Sequence, residues 1–507
     1  MDKFRKKQKS VIFTDHCRLK IKMEPPKKIL CVDLDGTFLQ TDMLYESFVY
    51  CFMKNPLILF LCISWLIRGG KTLLKEKLAN QYTFDPTLLP VNTSVHNLIC
   101  SKKHQGYFVF LISASADKIV KTIFERYSSL FNGYFGTGTV VTGWGDKPNL
   151  QGVTKAEFIK EKFKNSQIEY IGNSKDDVNV WKNCSKGYAV SSNTNKFPSE
   201  LQLEYLKPNA QKSRIKLILK QLRVHQWVKN SLIFLPLVAS HQILSPTTYL
   251  YSLFGICAFS LITSTVYVIN DLLDLENDRT HETKKKRPLA SGDLSIILGL
   301  VLVVACFTSG SVIAYAISPL FLILALVYIL INLFYSGKAK KIIILDCILL
   351  SMMYTYRIFL GTIIASLEVS VWMISFSFFL FLSLAFIKRY SELFNLKRKS
   401  IEKSKGRAYQ VNDMPVIIGM AIGAGFLSIL VLDIYLNQDE IKETFKSIWF
   451  AYFCLPTLLY WLARIFIKTA RGNMNEDPVT YAIKDKASLV IGTLFVVFFF
   501  LAAFVRI

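Results

Sequence analysis

The sequence has no pair of cysteines in CxxC spacing, and its ten cysteines are scattered, several of them inside apolar runs. This argues against a disulfide framework or a zinc site and indicates reduced packing residues. Acids are also scarce, because 37 Asp and Glu stand against 61 Lys and Arg, giving a net charge of +24. We attribute this excess to membrane topology, anionic lipid and phosphate-bearing substrates, and we do not expect nucleic acid as a partner.

Apolar residues are abundant: they make up 52% of the 507 residues, and the mean hydropathy is +0.33. They are unevenly distributed, since charge is interspersed up to about Arg214, whereas long apolar runs alternate with polar connectors from Asn230 onward. A chain of this length exceeds one ordinary domain. We therefore predict a basic tail (1–27), a soluble domain (28–205) and a membrane domain (206–507).

Nine apolar runs are candidate membrane spans. They are Asn230–Ser240, Tyr249–Ile269, Leu294–Ile317, Leu320–Tyr335, Ile342–Ala365, Val371–Ile387, Val416–Leu436, Ile448–Ile467 and Ser488–Val505. Connectors after the even-numbered runs are basic, and those after the odd-numbered runs contain almost no Lys or Arg. The positive-inside rule then predicts a multi-pass protein of the inner (cytoplasmic) membrane, with the N-terminal domain in the cytoplasm and Ile507 outside.

A cluster of acids lies at the end of the second run. Asn270, Asp271, Asp274 and Asp278 recur there at three- and four-residue spacing, so a continuing helix would carry them on one face. Such oxygen ligands suit Mg²⁺, which binds a protein through a few carboxylates and a substrate through its phosphates. Acids this close to hydrocarbon indicate a functional site. The cluster predicts a membrane enzyme that acts on a diphosphate; the alternative is a solvated helix end.

The soluble region carries polar motifs at predicted strand ends. Strand Lys28–Val32 leads into Asp33-Leu34-Asp35-Gly36-Thr37, a second strand ends at Ser113-Ala114-Ser115, Lys155 lies in a helical stretch, and Gly172–Asp177 follows a third strand. Open α/β sheets bind ligands at the carboxyl ends of their strands. In this order, over about residues 28 to 192, the motifs resemble the haloacid-dehalogenase phosphatase superfamily. The resemblance implies an α/β Rossmann-like domain with a helical cap at about 44–101.

That resemblance also implies roles for single side chains. Asp33 would attack the phosphorus and become an aspartyl phosphate, and Asp35 would protonate the leaving group. Ser113 and Lys155 would hold the phosphoryl oxygens. The implied Mg²⁺ ligands are Asp33, Asp35, Asn173 and Asp177. The family usually has an acid where this chain has Asn173, whose amide brings no charge, so the alternative is a catalytically inactive scaffold.

The predicted cap contains an apolar stretch of eleven residues, Leu57–Ile67. Eleven residues are too few to span a bilayer. We predict a buried cap helix. The alternative is a cap that dips into the membrane interface and brings a lipid-linked substrate to Asp33.

Basic residues follow the acid cluster, and together they resemble the UbiA-type intramembrane prenyltransferase superfamily, from Ile215 to the C-terminus. The resemblance implies an all-α membrane bundle of about nine transmembrane helices. It implies that Asn270, Asp271, Asp274 and Asp278 hold Mg²⁺, and that Asp271 and Asp274 are catalytic. Arg279, Lys286 and Arg287 would stabilise the departing diphosphate.

A second acidic motif of that superfamily is expected after the sixth helix, where this chain has Lys388-Arg389-Tyr390-Ser391-Glu392. With Gln226–Asn230 and Arg471–Met474, this departure resembles the decaprenyl-phosphate phosphoribosyltransferase branch, in which phosphoribosyl diphosphate is the donor and a polyprenyl phosphate the acceptor. The implied binding residues are Lys229, Asn230, Arg357, Lys388, Arg389, Glu392 and Arg407. The alternative for Arg357 is a pair with Asp346 inside the bundle.

Three functions follow from these patterns. The first is phosphoribosyl transfer followed by 5-phosphate hydrolysis, in which the tethered domain meets its substrate at raised effective concentration. The second is aromatic prenyl transfer from a polyprenyl diphosphate. The third is a non-enzymatic membrane anchor with a degenerate phospho-ligand-binding domain. The sequence leaves the polyprenyl length and the oligomeric state open.

Overall fold

The computed structural model describes residues 28–138, 149–208, 213–239, 246–402, 407–474 and 477–506. The predicted basic tail, 1–27, lies outside the described residues. The chain divides into two compact units. The first unit comprises the chain up to Leu222 together with Tyr267–Val303, and the second comprises Arg223–Val266 and the chain from Val304 onward.

The first unit is built on a six-stranded parallel sheet in the order β3-β2-β1-β4-β5-β6. The strands are β1 (Lys28–Val32), β2 (Phe108–Ala116), β3 (Gly133–Thr137), β4 (Gln167–Gly172), β5 (Lys186–Val190) and β6 (Glu204–Leu206). Leu30 and Val32 of β1 pack into one apolar cluster, and Ile29 and Cys31 pack into another. Both faces of the sheet are therefore covered, as a parallel sheet requires, and the predicted α/β fold is confirmed.

Three helices of the first unit lie between β1 and β2, the region in which the helical cap was expected. The helices up to Leu222 are α1 (Met43–Lys54), α2 (Ile58–Gln81), α3 (Thr93–His104), α4 (Asp117–Arg126), α5 (Val153–Lys162), α6 (Val178–Trp181) and α7 (Arg214–Gln221). Asp42 caps α1, because its carboxylate accepts a hydrogen bond from the Leu44 main-chain N–H. Helix α2 is kinked at Gly69 and Gly70, where the φ of Gly70 is +63°, a value that favours glycine.

The apolar half of α2 is exposed, so the prediction of a buried cap helix is wrong. Its exposed side chains are Leu57, Leu59, Phe60, Leu61, Ile63, Leu66 and Ile67. Ile58 and Cys62, which pack near Cys51 of α1, are the fully buried residues of this stretch. The physical reason is that α1 covers one side of a helix that is apolar on nearly all sides.

The remaining helices carry the membrane spans. They are α8 (Leu235–Ala239), α9 (Pro246–Leu273), α10 (Leu275–Thr280), α11 (Ile296–Ile317), α12 (Pro319–Gly337), α13 (Leu345–Ile364), α14 (Val371–Arg398), α15 (Met414–Leu436), α16 (Asp439–Thr444), α17 (Ile448–Tyr452), α18 (Cys454–Ala470), α19 (Pro478–Lys484) and α20 (Lys486–Phe504). In the described part of the chain, eight helical segments are long and apolar enough to cross a membrane. They overlap the second to ninth predicted runs.

The first predicted run is different. Val224–Phe234 is a 3₁₀ helix, and α8 after it has only five residues. Buried Asn230 in this stretch donates a hydrogen bond to the Ser260 hydroxyl at 2.8 Å. Polar contacts of this kind anchor the stretch to the bundle, and over the described residues the span count is eight where about nine were predicted.

Candidate functional site

The carboxyl ends of β1 and β4, with α5, bring predicted phosphatase residues together. Asp33, directly after β1, is 7% exposed. Its Oδ1 atom lies 2.7 Å from Lys155 Nζ, and its Oδ2 atom accepts a hydrogen bond from the Thr37 hydroxyl at 3.2 Å. Lys155 Nζ also lies 3.6 Å from Asp177, so one buried ammonium bridges two buried carboxylates.

Asp177 is fixed by the loop that follows β4. Its Oδ2 atom accepts hydrogen bonds from the main-chain N–H groups of Asn173 (3.0 Å) and Ser174 (2.9 Å), and Oδ1 accepts one from the Tyr170 hydroxyl at 2.7 Å. The Asn173 amide lies against Gly36, whose φ is +70°, and a side chain at position 36 would collide with it. Glycine in the Asp-Leu-Asp-Gly motif therefore permits both the turn and the position of Asn173 at the site.

Asp35 is held by hydroxyl groups and a main-chain donor. It accepts hydrogen bonds from the Met43 N–H at 2.9 Å, the Ser115 hydroxyl at 2.5 Å and the Ser113 hydroxyl at 3.3 Å. Ser113 is fully buried, whereas Ser115 lines the cavity above the site. Sequence reasoning singled out Ser113 and missed Ser115, although the alternating Ser-Ala-Ser pattern was a usable signal. The register between β2 and β3 shifts here, and such irregularities re-aim side chains.

Burial sets the protonation of these acids. It raises the pKa of Asp33 to about 7 against the opposing effect of Lys155, and it raises the pKa of Asp35 to about 6. Burial also acts to raise the pKa of Asp177, but Lys155 and the hydrogen bonds to this carboxylate outweigh it and hold the pKa below its ordinary value. Asp177 is therefore suited to bind a cation, and Asp35 is suited to carry a proton near neutral pH.

A cavity of about 590 Å³ opens over Asp33 and Asp35. Lys75 of α2 reaches its wall, where Nζ donates hydrogen bonds to the Ala114 carbonyl oxygen at 2.7 Å and to Asn149 Oδ1 at 3.2 Å. Burial lowers the pKa of Lys75. Sequence reasoning missed this lysine because it comes from the cap, whose return over the site leaves no local pattern.

In the acid cluster, the predicted continuous helix is wrong at Asp274. Helix α9 ends at Leu273 and α10 begins at Leu275. Asp274 is exposed at this break, whereas Asp271 and Asp278 are buried. Two of the acids nevertheless meet through a shared partner.

That partner is Arg287. Its Nη1 atom lies 2.9 Å from Asp271 Oδ1 and 2.6 Å from Asp278 Oδ2. Gln221 donates a hydrogen bond to the second oxygen of Asp271 at 2.8 Å. Asp278 Oδ1 is buried and accepts no hydrogen bond from the described residues; Lys284 Nζ lies 4.0 Å from it. Burial raises the pKa of Asp278, although Arg287 opposes this.

Two residues predicted to bind diphosphate have other contacts. Arg279 forms a buried two-pronged ion pair with Glu46 of α1, with Nη2 at 2.5 Å from Oε1 and Nη1 at 3.2 Å from Oε2. The Thr41 hydroxyl donates to the same carboxylate at 2.6 Å. The Lys286 side chain is exposed, and its carbonyl oxygen accepts a hydrogen bond from Lys220. Arg279 therefore ties the acid cluster to α1 of the helical cap, a role that the sequence did not indicate.

In the second unit, Arg389 and Arg407 have carboxylate partners. Arg389 is 1% exposed; its Nη2 atom lies 3.0 Å from Asp346 Oδ2, and its Nη1 atom contacts Glu392. Arg407 Nη1 lies 3.4 Å from Asp346, and Arg407 Nε lies 3.5 Å from Glu392. Two guanidinium groups and two carboxylates thus form a group without net charge.

Arg357 is different, and it does not form the alternative pair with Asp346. Its hydrogen bonds go to Asn230 Oδ1 (2.9 Å), the Tyr328 hydroxyl (2.7 Å) and the Met353 carbonyl oxygen (2.5 Å). All three acceptors are neutral, so no carboxylate among the described residues balances the charge of this buried guanidinium.

Two lysines belong to the same neighbourhood. Lys388 Nζ and Lys229 Nζ lie 2.8 Å and 3.5 Å from Asp477 Oδ2. Lys229 lies over the Tyr354 ring at 5.6 Å from its centroid, and Arg357 lies over the same ring at 5.2 Å. Among the described residues, the two lysines share the Asp477 carboxylate and Arg357 has no carboxylate partner, so two of these three positive charges are unbalanced. A phosphate group would balance them.

Comparison with known proteins agrees with this architecture. Residues 231–484 match the model of the UbiA prenyltransferase family. Uncharacterized protein y4nM of Sinorhizobium fredii is 31% identical over 471 residues, which are 92% of this chain and 89% of that protein. A decaprenyl-phosphate phosphoribosyltransferase of Mycobacterium tuberculosis is 26% identical over 280 residues, which are 53% of this chain and 88% of that protein.

Among solved structures, a UbiA homolog from Archaeoglobus fulgidus bound to GPP and Mg²⁺ is 18% identical and covers 57% of this chain and 99% of its own, with a TM-score of 0.42. The family match covers half of the chain, and the Sinorhizobium relative extends over nearly all of it. The chain is therefore a multi-pass membrane protein that belongs to the UbiA prenyltransferase family.

Proposed function

We propose that this chain transfers a 5-phosphoribosyl group from phosphoribosyl diphosphate to a polyprenyl phosphate, at the cytoplasmic face of the inner membrane. The bond between ribose C1 and the diphosphate oxygen breaks, a bond forms between C1 and an oxygen of the lipid phosphate, and diphosphate leaves. The N-terminal domain then hydrolyses the 5-phosphate of the product. The basic connectors after the even-numbered predicted runs support a cytoplasmic location for that domain.

The observation that carries the transfer step is the unbalanced charge of Lys229, Lys388 and Arg357. A lipid phosphate supplies the missing anion, whereas a phenolic acceptor brings no charge of its own. The positive charges of Arg389 and Arg407 are balanced by the carboxylates that they contact, so we assign both arginines a structural role in the helix bundle. The name of the mycobacterial relative supports the same acceptor.

An apolar cavity supports a long-chain lipid. It has a volume of about 390 Å³ within the second unit, and side chains such as Phe376, Phe495 and Phe499 line it. Cavities with mostly apolar walls are typical of sites for apolar ligands. We propose that it accommodates part of the polyprenyl chain.

Mg²⁺ is the proposed cofactor at both sites. In the acid cluster the proposed ligands are Asn270, Asp271, Asp274 and Asp278. The buried Asp278 Oδ1 atom, to which no described residue donates a hydrogen bond, fits this assignment. In the phosphatase site the proposed ligands are Asp33, Asp35, Asn173 and Asp177. Within the described ranges, no three His, Cys, Asp or Glu side chains form a ready metal site, so the two asparagine amides and substrate oxygens must complete the ligand sets. Bound Mg²⁺ would offset the negative charge of the phosphate groups.

For the hydrolysis step, the chain's own residues supply nucleophile and acid. Lys155 keeps Asp33 in place and offsets charge on the phosphoryl oxygens. Asp33 attacks the phosphorus, the P–O ester bond breaks, and the leaving oxygen takes a proton from Asp35. Water then releases inorganic phosphate from the aspartyl phosphate.

The test uses purified full-length protein in lipid nanodiscs with Mg²⁺, a polyprenyl phosphate and labelled phosphoribosyl diphosphate. Mass spectrometry of the lipids should show polyprenyl-phosphoryl ribose. Arg357→Gln should lower the transfer rate at least about tenfold, because a charged contact to phosphate is lost. The control variant Lys442→Gln, at an exposed position of α16, should not lower it.

Two results would replace the proposal. Consumption of a prenyl diphosphate with a phenol, and none with phosphoribosyl diphosphate, would establish an aromatic prenyltransferase. Absence of substrate-dependent diphosphate release, with no change in Asp271→Ala or Asp274→Ala, would leave the non-enzymatic anchor.

A further inference from the structure

The apolar half of α2 presents a surface that the described residues of the first unit leave exposed. We define the cap face as Leu57, Leu59, Phe60, Leu61, Ile63, Leu66 and Ile67. Their exposure runs from 43% for Leu61 and Leu66 to 81% for Ile67. Seven large apolar side chains exposed within eleven residues are rare on the surface of a soluble domain and mark a binding face.

The charges around the cap face identify what covers it. The stretch from Lys54 to Arg68 contains no acid. Lys54, Arg68 and Lys71 are exposed cations on its two sides. An apolar face between exposed cations is complementary to an anionic lipid leaflet, in which apolar side chains enter the acyl region and cations meet the headgroups.

The phosphatase cavity continues this apolar surface. Its floor carries Asp33 and Lys155, and its rim carries Phe48, Cys62 and Leu66 of the cap. Leu300 also lines the cavity, and it lies on α11, one of the candidate membrane spans. The cavity lining therefore combines buried charged groups with apolar side chains, one of them from a helix long and apolar enough to cross a membrane.

Ile297 and Val301, which lie three residues before and one residue after Leu300 on α11, are also exposed, at 44% and 54%. Cap face and α11 therefore both present apolar side chains next to one cavity. A phosphate on a long apolar chain fits such a lining, because its headgroup and its chain each meet a wall of matching polarity.

The length of the Leu57–Ile67 segment and the kink of α2 determine how the cap face can lie relative to a bilayer. Eleven helical residues extend about 16 Å, which is about half of the hydrocarbon thickness, so the segment lies in one leaflet. The break at Gly69 and Gly70 separates it from the second half of α2. That half returns over the sheet and places Lys75 at the cavity wall.

We propose that the cap face is seated in the cytoplasmic leaflet, and that the phosphatase cavity takes its substrate from the membrane, as a phosphate monoester carried on a long apolar chain. The substrate class rests on the proposed activity of Asp33, whereas the seating of the cap face does not. In the reaction, the P–O bond of the monoester breaks, Asp33 takes the phosphoryl group, and the lipid-borne hydroxyl keeps the proton from Asp35.

Seating is tested without any enzymatic activity. Full-length Ile67→Cys and Lys160→Cys, both at exposed positions of the first unit, are placed in nanodiscs of phosphatidylcholine and phosphatidylglycerol and treated with a water-soluble maleimide. The unmodified chain gives the background. Ile67→Cys should react at least about tenfold more slowly than Lys160→Cys, because lipid shields it. Equal rates would overturn the proposal and leave the face to another partner.

Substrate access is tested with two phosphate monoesters, polyprenyl-phosphoryl ribose 5-phosphate in the bilayer and p-nitrophenyl phosphate in water. The double variant Phe60→Glu, Ile67→Glu should hydrolyse the lipid-borne ester about tenfold more slowly and the soluble ester within about twofold of the unmodified chain, because charged side chains disfavour the interface. Lys160→Glu is the matched control.

Equal effects on both esters, or on neither, would overturn access from the membrane. If the unmodified chain hydrolyses neither ester while Ile67→Cys stays shielded, the phosphatase activity is overturned and the seating of the cap face stands.

Discussion

Two pairs of buried acids in the first unit each enclose one cation, and they differ in how the backbone holds them. Asp33 and Asp177 surround Lys155 at the strand ends, and main-chain and hydroxyl donors satisfy Asp177 further. Asp271 and Asp278 surround Arg287 at a helix break, and one oxygen of Asp278 accepts no hydrogen bond from the part of the chain that the structure describes. Nearby donors therefore satisfy the carboxylates of the strand-end pair. The helix-end pair leaves one carboxylate oxygen that a further cation would satisfy.

The largest effect is expected at the strand-end pair. Asp33→Asn removes the proposed nucleophile, so phosphate release from the lipid product should fall by at least about 10³-fold while phosphoribosyl transfer continues. The lipid that still carries the 5-phosphate should accumulate in the mass spectrum. Glu125→Gln, an exposed acid of the same domain, is the control. Undiminished phosphate release in Asp33→Asn would show that the two activities are not coupled in this way.

Removing the cation from the helix-end pair should reduce stability. Arg287→Ala leaves Asp271 and Asp278 buried without their shared partner, and the loss of one member of such a pair costs about 3 kcal/mol. We expect a lower melting temperature in nanodiscs, with Lys285→Ala, an exposed neighbour, as control. If Arg287→Ala has the same melting temperature as the unmodified chain and only its rate of diphosphate release falls, Arg287 binds the substrate and does not stabilise the fold.

A smaller effect should distinguish a metal site from a plain ion pair. At a Mg²⁺ concentration about ten times its dissociation constant, binding should stabilise the unmodified chain by about 1.4 kcal/mol. Asp278→Asn replaces the carboxylate whose Oδ1 accepts no hydrogen bond from the described residues, so the part of this stabilisation that comes from the acid cluster should be lost. Melting curves with and without Mg²⁺, and with Asp293→Asn as a control for acid removal, measure it. An equal response of Asp278→Asn and the unmodified chain would exclude Asp278 as a ligand.

The comparison also explains which parts could be predicted from sequence. Asp33, Lys155 and Asp177 lie in motifs beside strands and a helix whose packing follows from local patterns, and the parallel sheet brings them together. Arg279 and Glu46 are 233 residues apart, and no local pattern indicates that they meet. Long-range contacts of this kind depend on the packing of whole elements.

The cap face shows a second limit. Leu57–Ile67 has the composition of a buried helix, and hydrophobicity alone does not distinguish burial in protein from burial in lipid. Only the placement of α2 against one neighbouring helix reveals that the described residues leave most of these side chains exposed. The membrane-dipping cap, which was the alternative at the sequence level, needed this structural observation before we could propose it.

The smallest expected effect concerns the serine that sequence reasoning missed. The Ser115 hydroxyl donates to Asp35 and lowers its pKa, against the burial that raises that pKa to about 6. In Ser115→Ala this support of the charged form is lost, so the pKa of Asp35 should rise, by less than about one unit. Because the proposed proton donor acts in its protonated form, the alkaline limb of the rate profile for p-nitrophenyl phosphate should move to higher pH. Ser113→Ala, which removes the longer hydrogen bond, should move it less. A larger shift in Ser113→Ala would assign the site to the serine that the motif indicated.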